Sequence, residues 1–566
     1  MGAVIISGEG LSIAEIAAVA RGEKVALSSD PAVLARLDAS RDAIRAAIAR
    51  GEQIYGVSTL FGGMADQYVG PDQLVDVQRL ALWQHKSTTG PRLPDADVRA
   101  AMLLRANSLM KGVSGIRLVI IERFVTFLNG GATPHVYQRG SIGASGDLVP
   151  LAYIGGAILG LHPAFKVDMG GETLDSHTAL ARLGLEPIEL EPKEGLALNN
   201  GTGACTGVAA NAVDRAFDLI GLSIGINALI AQAMLSTNQS FAPFIHRVKP
   251  HPGQVWTAAE MDRLVAGSKI IRDEAAGDRG HRMGKLIQDR YSLRCLPQFL
   301  GPVIDGLATV AGQVEIEANC ANDNPLIDPD TGEIFHTGNF LAQYTSVAMD
   351  QLRYHVGLVA KHLDTQIALL MTPEFSYGLN PSLVGNAETG INVGLKSLQL
   401  GGNQMMPLIQ FYGQSIADRF PTHAEQFNQN VNSQAMNSAN LARESLDVFS
   451  HYLAVCLFCA VQAVELRSKL TADTYDARAV LSPATQALYV AAREAAAGPP
   501  EDERSLHWND LDEFIQPKVE GLIDALAPGG TVFASIAGLI ESLRAHEPFG
   551  AGKARATARE ELEPQK

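Results

Sequence analysis

The sequence predicts a mainly α protein, an elongated bundle of long helices with a smaller mixed region at its N-terminal end. Three observations predict it. Residues 208–235, 303–319, 343–371 and 441–470 have helical composition over lengths well beyond the usual 11–12 residues. Hydrophobic residues make up 46% of the chain and charged residues only 19%, as expected of helices with buried middles. No flexible linker, internal repeat or low-complexity tract interrupts the 566 residues, which favours one continuous helical body over the several domains that length alone would suggest.

The elements follow in order. Pro94-Asp95 opens a helix in which Val98, Met102, Leu103 and Leu109 recur at helical spacing, and Lys111-Gly112 closes it. Between the helices lie Gly/Asn/Pro-rich joints at 51–63, 139–150, 193–207, 322–339 and 375–386. We expect an N-terminal region at 1–200, a central long-helix bundle at 201–480, and a helical cap with a charged tail at 481–566. The Ala-rich stretch 550–566 is expected to be a mobile end. The apolar run 217–235 carries Asp218, Asn227 and Gln232, which hydrocarbon would not tolerate, so it is expected to be a buried helix and no membrane association is expected.

Composition excludes several functions. With 45 Lys+Arg against 61 Asp+Glu the net charge is −16, unsuited to binding nucleic acid. Five cysteines are too few for a disulfide scaffold. Cys456 and Cys459 form a CxxC inside an apolar run, expected to be two core residues rather than a redox or zinc site. Gly221-Leu222-Ser223-Ile224-Gly225 matches G-x-S-x-G but lies mid-helix, where no nucleophile elbow can form. Gly201-Thr202-Gly203 lacks the strand and spacing of a dinucleotide loop. The 14 histidines show no ligand spacing, and no metal is expected. The first ten residues lack a basic stretch followed by an apolar core, so a cytoplasmic location is expected.

Function is therefore sought in the joints, where binding groups tend to sit on a rigid scaffold. The most specific string is Arg139-Gly140-Ser141-Ile142-Gly143-Ala144-Ser145-Gly146-Asp147-Leu148-Val149-Pro150-Leu151. It resembles the signature of the aromatic amino acid ammonia-lyases and related aminomutases. In that family Ala-Ser-Gly cyclises into 4-methylidene-imidazol-5-one (MIO), with no external cofactor. The residue types suit that chemistry. Gly146 lacks a Cβ, so its amide nitrogen can reach the Ala144 carbonyl within a tight turn. Ala144 is too small to obstruct it, and Ser145 loses its hydroxyl as water, leaving an electrophilic methylene.

The resemblance spans nearly the whole chain and is strongest to the bacterial, cyanobacterial-type phenylalanine enzymes. Its further matches are Ile54-Tyr55-Gly56-Val57-Ser58 with Phe61-Gly62-Gly63, Lys193-Glu194-Gly195-Leu196-Ala197 with Asn200-Gly201-Thr202, and Gln288-Asp289-Arg290-Tyr291-Ser292-Leu293-Arg294-Cys295. Asp323-Asn324-Pro325-Leu326, Gly338-Asn339-Phe340, Asp473-Thr474-Tyr475-Asp476-Ala477-Arg478-Ala479 and the run from Thr422 through Glu425 and Gln429 to Asn430 continue it. The resemblance implies loss of ammonia across Cα–Cβ of L-tyrosine, L-phenylalanine or a ring-substituted analogue, giving the arylacrylate by covalent catalysis. It implies Tyr55 as general base and Arg294 as a bidentate carboxylate clamp. Asn200 and Tyr291 would orient the MIO and its developing negative charge. Gln288, Asn324 and Phe340 would line the substrate site, with Glu425 and Gln429 near the amine or ring. The family is homotetrameric, with each site built from loops of three subunits.

Gln84-His85 matches the family's ring-facing pair, on the helix carrying Leu82-Trp83. Phenylalanine enzymes of the nearest type have Phe-Leu there, tyrosine enzymes His-Leu, fungal dual enzymes His-Gln and histidine enzymes Ser-His. Gln-His fits none of them. A buried polar pair against a bare phenyl ring would be unsatisfied at roughly 1–3 kcal/mol, so a ring bearing a hydroxyl or other substituent is expected. A 2,3-aminomutase and a histidine ammonia-lyase are the alternatives within the family, and an inactive helical scaffold is the alternative outside it.

Overall fold

The computed structural model describes residues 2–274, 287–419 and 423–548. The tail 550–566 and Thr422 of the matched run lie outside the described residues. The mainly α expectation holds: twenty α-helices are present among the described residues. The four long segments read from the sequence form Gly203–Ala233, Leu296–Ala318, Gln343–Leu370 and Ala435–Ala472. The Pro94-opened segment forms Asp95–Leu109.

The chain forms two compact units. The first comprises Met1–Asp214, Val310–Gln351 and Ser415–Arg443; the second comprises Arg215–Thr309, Leu352–Gln414 and Glu444–Lys566. All strands among the described residues lie in the first unit. Val4–Ile6 pairs in parallel with Val25–Leu27, in the register Val4 to Val25. Ala132–Pro134, Lys166–Met169 and Glu172–Asp175 form an antiparallel sheet. Leu326–Ile327 and Ile334–Phe335 form a short antiparallel ribbon.

Local chemistry sets the helix ends that frame the joints. Ser12 and Glu15 make a reciprocal capping box on Ile13–Ala20. Asp30 caps Pro31–Ala49, with proline at the first helical position. Gly131 and Gly160 end Leu118–Gly130 and Leu148–Leu159 in the left-handed conformation open to glycine.

In the second unit the amide nitrogens of the apolar run are bonded internally, while Asn227 Oδ1 is buried without a hydrogen-bond partner. Asn227 donates to the Ser223 carbonyl at 2.7 Å, and Gln232 donates to the Ala228 carbonyl at 3.1 Å and to the Thr485 hydroxyl at 3.0 Å. By length and composition three helices among the described residues could cross a membrane; in Gly203–Ala233, 94% of the most apolar window is buried within the protein. Ser223 is buried inside that helix and donates to the Ile220 carbonyl at 2.7 Å, so it presents no nucleophile. Cys456 and Cys459 are fully buried in Ala435–Ala472, and burial pushes both thiols up, Cys459 to about 12.

Candidate functional site

Ala144-Ser145-Gly146 occupies the turn that feeds the helix Leu148–Leu159. Gly143 and Gly146 adopt φ of +68° and +70°, a region unfavourable to residues with a Cβ. Space makes the same demand. A Cβ on Gly146 would collide with the Gly201 carbonyl oxygen, and one on Gly143 with the Ser433 hydroxyl. Gly146 and Gly201 pair as a parallel bridge, and the Asp147 N–H donates to the Gly201 carbonyl at 2.7 Å. On the other side, the N–H groups of Ser433 and Gln434 each donate at 3.1 Å, to the carbonyls of Gly143 and Ile142. The Asp147 carboxylate is fully buried and accepts from the Ser141 hydroxyl at 2.8 Å and the Cys205 N–H at 2.7 Å. Burial pushes it above the usual carboxylate range.

The short helix Glu194–Asn199, buried throughout, brings Asn200 to this turn. Its N-cap Lys193 is a non-glycine residue at φ +82°. The Lys193 Nζ lies 2.5 Å from Asp323 Oδ2, and both side chains are 0% exposed. Asp323 Oδ1 accepts the Asn324 N–H at 2.7 Å. Arg105, on Asp95–Leu109, donates to the Ala197 carbonyl and, at 2.9 Å, to Asn322 Oδ1. Two buried cations thus tie the Asn200 segment to the segment 322–324. Asn200 Nδ2 donates to the Ser145 carbonyl at 3.2 Å, while its Oδ1 is buried without a protein partner.

Tyr55, Gln84, His85, Ser145, Asn200, Glu425 and Gln429 line one cavity, together with Asn199 and the apolar Phe61, Leu148 and Leu196. The Tyr55 hydroxyl accepts the Gly62 N–H at 2.9 Å, and the Tyr55 N–H donates to His336 Nε2 at 3.3 Å. Burial raises the phenol above its ordinary value, and Glu425 adds to the rise; the Gly62 N–H opposes it. A general base for neutral pH is helped by a lowered pKa, and of these contributions only the Gly62 N–H acts in that direction. Burial also raises the Glu425 carboxyl. The Gln84-His85 pair sits just past its helix, which ends at Trp83 with Gln84 as C-cap. His85 Nδ1 lies 2.6 Å from the Ala81 carbonyl oxygen, and burial lowers the imidazole pKa.

The remaining predicted residues are not in this lining. Gln288 and Arg294 line a different cavity, within the second unit, with Thr237, Asp289 and Gln298. Tyr291 and Arg294 share the one-turn helix Tyr291–Arg294. The guanidinium lies 4.7 Å from the Tyr291 ring centre, and Tyr291 is 73% exposed. Asn324 spends its Oδ1 on the Thr337 N–H at 2.7 Å. Phe340 is half-buried. Sequence reasoning missed Asn199, Arg105 and Asp147 as parts of the site. The Asn199-Asn200 doublet ending an apolar stretch was the one visible signal for Asn199; Asp147 stood inside the signature string without a role of its own, and Arg105 carried no signal that spacing could reveal.

The model of the family described as aromatic amino acid lyase matches residues 11–494. The chain is 64% identical over 541 residues to an aromatic ammonia-lyase of Loktanella atrilutea, covering 95% of this chain and 99% of that protein. It is 51% identical over 542 residues to a phenylalanine ammonia-lyase of Nostoc punctiforme, covering 96% and 95%. The crystal structure of a tyrosine aminomutase from Streptomyces globisporus superimposes with a TM-score of 0.83 at 29% identity, covering 96% of this chain and 99% of that one.

Proposed function

The chain belongs to the aromatic amino acid lyase family and is a carbon–nitrogen lyase, and from that premise we propose that it eliminates ammonia from L-tyrosine, L-phenylalanine or a ring-substituted phenylalanine. The single observation that carries the reading is the turn itself. Gly146 stands left-handed against Gly201 with no room for a side chain, and Asn200 holds the Ser145 carbonyl in the cavity that Tyr55 lines. These residues fit an MIO group formed from Ala144, Ser145 and Gly146, since a tight turn without a Cβ is what attack of the Gly146 nitrogen requires. When formed, that group supplies an electrophilic methylene for the substrate amine.

The chain's own residues do the rest. Tyr55 takes the Cβ proton, its oxygen held by the Gly62 N–H. Asn200 donates to the Ser145 carbonyl oxygen and steadies negative charge there. Glu425 and Gln429, which line the cavity beside Tyr55, face the amine or the ring of the substrate. Arg294 and Gln288 hold the carboxylate, and Tyr291, Asn324 and Phe340 complete the site in a homotetramer with shared sites, as the family resemblance implies.

His85 supports the preference for a substituted ring. The carbonyl of Ala81 only accepts, so Nδ1 carries the proton, and burial lowers the imidazole pKa, favouring the neutral form. Nε2 is then an acceptor, and a phenol hydroxyl can donate to it. The similarity to a tyrosine aminomutase sustains a second reading, re-addition of ammonia at Cβ. The test is to offer phenylalanine, tyrosine, histidine and 3,4-dihydroxyphenylalanine separately and to follow the ultraviolet absorbance of an arylacrylate, with chiral analysis for β-amino acid. Absence of arylacrylate from all four overturns the lyase reading; turnover of phenylalanine alone overturns the ring preference.

A further inference from the structure

Asn199 sits one residue before Asn200, 1% exposed, and lines the same cavity. Its Nδ2 donates to the Ala81 carbonyl oxygen at 2.6 Å, the oxygen that also receives His85 Nδ1 at 2.6 Å. Because that carbonyl cannot donate, the amide must meet it through nitrogen, which fixes the side chain's orientation. Nδ2 also lies 3.4 Å from His85 Nδ1, so the two side chains are packed together around one acceptor. The Asn199 Oδ1 is left over. It is buried and has no hydrogen-bond partner.

The Ala81 carbonyl therefore orients two acceptors at once, His85 Nε2 and Asn199 Oδ1. One ring hydroxyl can satisfy one of them. The other stays desolvated and unpaired, a recurring cost to any complex that buries it further. A site with unpaired acceptors rejects ligands that lack matching donors. We infer that Asn199 is a specificity-determining residue which, with His85, selects aromatic amino acids whose ring carries two neighbouring hydrogen-bond donors, the 3,4-dihydroxyphenyl class. The inference rests on the cavity being the ring end of the active site proposed above.

Two measurements test it on the full-length enzyme. The first compares kcat/KM for phenylalanine, tyrosine and 3,4-dihydroxyphenylalanine in the wild type and in Asn199→Leu, which keeps the branch at Cγ and removes the acceptor together with the Nδ2 donor. The dihydroxyphenylalanine-to-phenylalanine ratio should fall about tenfold or more, and further than the tyrosine-to-phenylalanine ratio. A ratio that stays within about twofold in a variant with wild-type melting behaviour overturns the inference, because a bound water rather than the substrate then satisfies Oδ1 in the wild type. The second measurement needs no variant and decides the matter if Asn199→Leu fails to fold. The inhibition constants of cinnamate, 4-hydroxycinnamate and 3,4-dihydroxycinnamate should tighten in that order; a dihydroxy product that binds no better than the monohydroxy one overturns it. Failure of the underlying reading looks different: no amino acid is turned over and none of the three acids binds.

Discussion

Replacing Lys193 by methionine removes one half of an ion pair that water cannot reach. Lys193 and Asp323 are each 0% exposed, with Nζ 2.5 Å from Oδ2. In Lys193→Met, Asp323 keeps the Asn324 N–H on Oδ1, but Oδ2 loses its donor. Breaking a buried pair from one side costs about 3–5 kcal/mol, because the surviving charge stays desolvated. Arg105 attracts Asp323 electrostatically but directs its two terminal nitrogens to Asn322 and Ala197. Its field softens the loss, so we expect the lower end, about 3 kcal/mol. The double variant Lys193→Met/Asp323→Leu removes both charges and should recover most of that loss, to within about 1–2 kcal/mol of wild type. Urea unfolding followed by far-ultraviolet circular dichroism reads both variants without reference to activity. A single variant that loses less than about 1 kcal/mol, or a double variant no more stable than the single, refutes the reasoning.

Gly146→Ala should abolish cyclisation, since its methyl meets the Gly201 carbonyl oxygen at φ +70°; intact-mass spectrometry would show the uncyclised chain, and a retained loss of two waters would contradict this. Tyr55→Phe should lower kcat by about 10²–10⁴ with little change in melting, as expected for a lost general base; full activity would assign the base elsewhere. Tyr55 must lose its proton to act, and its pKa lies above the ordinary value of 10.0. The catalytically competent form therefore grows as pH rises, and kcat/KM should climb through the alkaline range; a plateau already reached at pH 7 would point to another base. Native protein should show no rapid thiol labelling at Cys205, Cys456 or Cys459, all fully buried with raised pKa values; prompt modification mapped to any of the three by peptide mass would show that the helices open.

The long helices were readable because each is apolar over many turns, and their misread ends have physical causes. Leu296–Ala318 begins before the expected residue 303 because Pro302 lies inside it, where a proline normally signals an end. Gly203–Ala233 begins before residue 208 because Gly203 and Gly207 resemble loop residues. Gly207 is there for packing: a Cβ would come within 2.7 Å of the Ala101 backbone nitrogen. In the site, resemblance picked out Gln84, His85, Ser145, Asn200, Glu425 and Gln429, which line the cavity with Tyr55, but not Asn199. It could not reveal environment. Nothing in the sequence shows that burial raises the Tyr55 phenol, or that one carbonyl, that of Ala81, orients both His85 and Asn199. Those facts depend on which backbone atoms face the cavity, and that is settled by tertiary packing.

The contact between Gly146 and Gly201 also sets what can be transplanted. The tripeptide is one side of a mould whose other side is the Asn200 side-chain amide and the Gly201 backbone, while Ser433 and Gln434 clamp its entry at Ile142 and Gly143. A loop carrying only Gly143 to Asp147 into another scaffold would bring the reacting atoms without the walls that compress them. The smallest portable unit is three discontinuous segments, and the distance between them along the chain ties the proposed cyclisation to a large fold.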